Sequence, residues 1–165
     1  MPPPAFAAAL RRIMQQQLTT GKSLLALAEV SEKAIIEGDT GKLSELVPQQ
    51  QALLEMQIAQ EKARQEAATV LSTRLGLEDS APLSTLLPEL APADAIALAA
   101  LRTQILATQR RVESQNDCNR RLLDNALSFV KFNLEALTSA ALKPAKYGVN
   151  LTRLEAPSFY IDSKA

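Results

Sequence analysis

The sequence predicts an all-α protein: an elongated antiparallel three-helix bundle, or coiled coil, with a long third helix. Three observations predict it. Only 4% of the 165 residues are aromatic and none is tryptophan, while 47% are hydrophobic, so a core must be built from Leu, Ile, Val and Ala. Such side chains suit helix-on-helix packing better than a sandwich or barrel. Apolar residues recur at threes and fours, the spacing that gathers them on one face of a helix. After Pro92, no proline or glycine interrupts the chain as far as Leu142. The length suits a single domain with a moderate core.

The first helix is predicted over residues 5–37, after a proline leader, with Phe6, Leu10, Ile13, Leu24, Leu27 and Ile35 on its apolar stripe. Thr19-Thr20-Gly21 predicts a bend or local break, because a mid-helix glycine costs about 1 kcal/mol relative to alanine. Gly38 suits a left-handed C-cap and Asp39 an N-cap, so the turn is tight and the flanking helices are antiparallel neighbours. The second helix is predicted over 40–75, burying Leu43, Leu46, Val47, Leu53, Leu54, Ile58, Val70 and Leu71. Pro48 lacks a backbone donor and predicts a kink or restart there. Residues 76–91 read as a linker: Ser80 caps a short turn, and Leu83, Leu86, Leu87 and Leu90 plug the bundle end. Pro92 and Asp94 suit the first turn of the third helix, 92–142, which Lys143-Pro144 stops. Residues 143–165 lack periodicity and read as a flexible tail.

A helix over 92–142 is roughly 75 Å long. Starting level with the end of the second helix, it draws level with the Gly38–Gly41 turn near Ala126, and the remainder projects. That remainder is apolar: its face carries Leu123, Leu127, Val130, Leu134, Leu137 and Ala141, continuing the stripe of Leu98, Leu101, Ile105 and Val112, while Phe129 and Phe132 add a second side. Leaving such side chains wet forgoes something on the order of 10 kcal/mol. The stretch therefore reads as a partner site, as a segment that packs on itself, or as a dimer seam. Gln115, Asn116 and Asn119 make the helix face polar just before it, and the four-plus-four spacing from Asn119 to Leu127 breaks the heptad phase. These two features read as a boundary between the bundle part and the projecting part, or equally as a neutral irregularity.

Composition excludes several functions. Eighteen basic residues balance eighteen acidic ones, so the basic excess of a nucleic-acid binder is absent, and Arg11-Arg12, Arg110-Arg111 and Arg120-Arg121 read as solvated faces. Without a histidine there is no imidazole base or ligand, and no metal or cofactor site is predicted. Cys118, the sole cysteine, reads as a small helix residue; one thiol permits no internal disulfide and fits a reducing cytoplasm. No signal peptide or membrane span is legible, which predicts a soluble cytoplasmic protein without membrane insertion. No phosphate loop or nucleophile–base pair appears, so an enzyme is not expected.

Taken together, the segments resemble the FlgN family of flagellar type III export chaperones. Gln51-Ala52-Leu53-Leu54 followed by Glu61-x-x-Arg64 is the kind of run that family shows in its second helix. Glu29 precedes the Ile36-Glu37-Gly38-Asp39 turn at the matching distance. Asn116-x-x-Asn119 leads into Leu122-Leu123 and an apolar run, and Tyr147-Gly148 follows where the family has a tyrosine-glycine pair. The likeness covers most of residues 20–150; Asn150 and Pro48 depart from the pattern. The resemblance implies a cytoplasmic chaperone that holds the C-terminal helical segment of hook–filament junction (hook-associated) proteins, prevents their premature assembly and delivers them to the export gate. It implies client contact through Leu123–Leu142 and gate contact through Tyr147. The competing reading is a dimeric coiled-coil structural or adaptor protein.

Overall fold

The computed structural model describes residues 3–78 and 81–141. Its elements are α1 (Pro3–Glu37), α2 (Thr40–Arg74), α3 (Leu83–Leu86) followed by a 3-10 turn at Leu87–Glu89, and α4 (Pro92–Ala141); no strand occurs among the described residues. The chain divides into two compact units, Met1–Leu127 and Ser128–Ala165.

In the first unit, α1 ends at Gly38, whose φ of 68° only glycine adopts freely. Asp39 then caps α2, its Oδ1 accepting from the backbone N–H of Lys42 at 2.8 Å. The two helices run antiparallel. Gln17 Nε2 donates to Glu61 Oε2 (2.9 Å), Gln60 Nε2 to Thr20 Oγ1 (3.1 Å) and Gln50 Nε2 to Ser31 Oγ (2.9 Å), so partners fall along α2 as they rise along α1. By contrast α4 runs alongside α1 in the same direction. Arg11 pairs with Asp94 at 3.6 Å near one end. Further along, Asn119 Nδ2 donates to the carbonyl of Ala28 at 2.9 Å and Gln115 Nε2 to Glu32 Oε2 at 2.8 Å.

The core lies where α1 begins, α2 ends and α4 begins. Leu10, Met14, Leu71, Leu86 and Leu98 are buried together there, with Leu83, Leu87 and Leu90 packed against them. The linker leucines thus close that end of the unit.

Three local expectations change. The Thr19-Thr20-Gly21 run does not break α1, which is continuous over 35 residues. A Cβ on Gly21 would lie 3.3 Å from Thr108 Cγ2, so the glycine allows α4 to approach α1 closely. Helix packing outweighs propensity at this point. Second, α2 does not restart at Pro48 but continues through it; the flanking residues are exposed, and water can serve the Ser44 carbonyl that loses its helical donor. Third, Val47 (59% exposed), Leu54 (52%), Ile58 (71%) and Val70 (43%) are not in the core. The face of α2 turned to α1 instead carries Gln50, Gln60, Glu61 and Arg64 among Leu46 and Leu71, because α1 meets it with Gln17, Thr20 and Ser31.

In the second unit the described residues are helical, and every described side chain from Ser128 to Ser139 is exposed. Ser80, Leu142, the Lys143-Pro144 stop and the rest of 143–165 lie outside the described residues.

Candidate functional site

The predicted stripe on α4 is wet along its described length. Leu123 is 43% exposed and Leu127 60% in the first unit; Val130 is 59%, Leu134 63% and Leu137 69% in the second. The side chain of Ala141, and Tyr147 altogether, lie outside the described residues. Within the second unit Val130, Leu134 and Leu137 follow each other at four and three residues and share a face. Phe129 and Phe132, both 67% exposed, lie on roughly the opposite side. Lys131 and Glu135 stand four apart on the flank between them. This stretch therefore offers two apolar faces separated by a charged edge, and nothing among the described residues covers either.

Just before the exposed stretch, α4 is clasped to α1 by polar groups. Asn119 is buried and holds the Ala28 carbonyl, while Gln115 Nε2 donates both to Glu32 Oε2 and, at 3.3 Å, to Asn119 Oδ1. The half-buried Cys118 thiol lies 3.7 Å from Glu32 Oε1. Asn116 is exposed and takes no part in the clasp. The polar interruption read from the sequence is thus where α4 is fastened. Glu37 ends α1 little more than one turn past Glu32, so α4 has only a few more residues of α1 to pair with beyond Cys118.

Sequence reasoning missed a second feature. A cleft of about 420 Å³ opens among Met14 and Gln17 of α1, Glu61 and Arg64 of α2, Pro82–Ser84 and, on α4, Arg102, Ile105, Leu106 and Gln109. On one wall Glu61 accepts from Arg64 Nε (2.8 Å) and Nη2 (2.7 Å), from Gln17 and from Gln65 Nε2 (2.9 Å). The Arg64 fork, above all, lowers the Glu61 pKa from 4.5 to about 2, against the opposing effect of burial and with help from Gln17 and Gln65. Arg64 is correspondingly raised by its hydrogen bonds to Glu61. The i, i+3 spacing of Glu61 and Arg64 was legible; that Gln17, a polar residue inside an apolar stripe, reaches across to them was the available signal.

Among the described residues no group of three or more His, Cys, Asp or Glu side chains is arranged to hold a metal ion. No described helix is long and apolar enough to cross a membrane. A family model described as FlgN protein matches residues 1–152. No curated protein and no solved structure matches the chain.

Proposed function

Because this chain belongs to the FlgN protein family, we propose that it is a cytoplasmic flagellar export chaperone that binds the C-terminal helical segment of hook-associated junction proteins. The observation that carries the reading is the run of exposed apolar side chains from Leu123 through Leu137. A lone helix in water gains nothing by displaying leucine at every turn, whereas an amphipathic client helix buries such anchors at i, i+3, i+4 and i+7. Leu123, Leu127, Val130, Leu134, Leu137 and Ala141 are the proposed client contacts. The client orders as it binds, and that ordering cost keeps the complex reversible, as delivery requires. Covering the client's sticky helix prevents premature assembly, and release at the type III export gate, with Tyr147 as the proposed gate contact, completes the cycle. The proposed scaffold is an elongated antiparallel three-helix bundle in which α1, α2 and α4 are the three long helices.

The test replaces Leu134 and Leu137 together with Asp. We expect client binding to fall by at least a hundredfold in titration calorimetry, with circular dichroism of the free chain unchanged, because both side chains are exposed. A wild-type chain that is already dimeric at low micromolar concentration, and that the double substitution makes monomeric, would support the dimeric adaptor reading instead.

A further inference from the structure

In the first unit α2 and α4 meet α1 on different sides. On α1, Thr20 and Ser31 meet α2, while the next residues, Gly21 and Glu32, meet α4. Successive helical positions point about 100° apart. Two helices each packed 8–10 Å from α1 in those directions have axes about 14 Å apart; at the core end the linker leucines fill the gap between them, and beyond that end it is wider than a direct helix–helix contact. That separation is roughly the diagonal of a four-helix bundle, and it leaves space for a helix in contact with both.

The sides of this corner can be assigned. On the far flank of the α1–α2 pair, a shallow groove is lined by Ser23, Ala26, Gln49, Ala52 and Met56. Val47, Leu54 and Ile58 lie on the other side of α2, roughly opposite Ala52 and Met56 and thus toward the α4 side. They follow each other at seven and four residues and are 59%, 52% and 71% exposed. On α4, Gln109 lines the cleft with Glu61 and Arg64; Asn116 and Leu123 follow at seven-residue intervals on the same face. The cleft is the lower end of the corner, closed by Pro82, Leu83 and Ser84, with Arg102 at its edge.

We propose that this corner receives an amphipathic partner helix between α2 and α4, its leucine- or valine-bearing face on Val47, Leu54 and Ile58 and its C-terminal end at Arg102. The proposal rests on the client reading above and adds a second wall, on α2, and a direction. The direction follows from charge. Glu61 is saturated by Arg64, Gln17 and Gln65, which leaves the Arg102 guanidinium to face the partial negative charge and terminal carbonyls of an incoming helix. The helix then runs antiparallel to α4.

The probe is a synthetic peptide of the C-terminal helical segment of a hook–filament junction protein, titrated into the full chain. Leu54→Asp and Ile58→Asp, at exposed positions, are expected to weaken binding at least tenfold with helicity unchanged. On the unsubstituted chain the peptide is expected to slow amide exchange across 47–58 of α2 as well as 109–123 of α4, both in the first unit. Wild-type affinity in both variants, alongside lost binding in the Leu134/Leu137 double variant, would overturn the α2 wall and leave the client reading standing. Variants that change the oligomeric state without peptide would identify the occupant as a second copy and overturn the proposal. If the unsubstituted chain does not bind the peptide, the client reading falls and takes the proposal with it.

Discussion

At Glu61 a short sequence pattern gains a partner from far along the chain. The Glu61-x-x-Arg64 spacing alone promises an exposed i, i+3 pair of a few tenths of a kcal/mol. In the folded unit the Arg64 fork, with help from Gln17 across 44 positions and from Gln65, holds the carboxylate at a pKa of about 2 instead of 4.5. A depressed carboxylate contributes stability above its unfolded pKa and loses it as the pH falls toward the folded one. Melting temperature should therefore decline between about pH 4.5 and pH 2, and Glu61→Gln should flatten that part of the profile; an identical decline in the variant would assign it to other carboxylates. Gly21 is the second case. Propensity alone predicts a weak point there, and only the presence of Thr108 across the interface explains the residue. Gly21→Leu should cost about 1–3 kcal/mol in urea unfolding, because the added side chain must push α4 away.

Element boundaries were legible because their signals are local: Gly38 and Asp39 between α1 and α2, Pro92 and Asp94 at the start of α4. The facing of α2 was not. That helix carries two apolar series, Leu46, Leu53 and Leu71 on one side and Val47, Leu54 and Ile58 on another, and periodicity within one helix cannot choose between them. The choice is made by Gln17, Thr20 and Ser31 on α1, which match the glutamines of α2. Pro48 shows the same limit: a missing donor is damaging where the carbonyl is buried and tolerable where it is wet. Replacing it should help. Pro48→Ala restores one helical hydrogen bond in an uninterrupted helix and should stabilise the chain by roughly 1–2 kcal/mol, after allowance for proline's restriction of the unfolded state. A lower denaturation midpoint in that variant would mean that the proline sets a bend on which the packing depends.

For the molecule as a whole, burial is uneven. The most deeply buried leucines, Leu10, Leu71, Leu86 and Leu98, belong to one cluster, whereas Phe129, Phe132, Leu134 and Leu137 are each about two-thirds exposed. The exposed apolar run was legible because its residues lie on one uninterrupted helix and needed no tertiary contact to be noticed. The cleft and the corner between α2 and α4 were not, because they arise from the angle between helices. Amide exchange of the free chain should be fast across 128–139 and slow around Leu10 and Leu71, at low and high protein concentration alike. Protection of 128–139 that grows with concentration would point to a dimer seam.

Cys118 turns the clasp between α1 and α4 into a clock. It is the sole thiol of the chain, half-buried against Glu32, one position before the asparagine that holds Ala28. A bulky maleimide gains access each time the two helices part, so its labelling rate reads the opening frequency of that joint without any engineered cysteine. Labelling compared with and without the proposed client peptide would time the loosening of the scaffold itself on a single chemical trace.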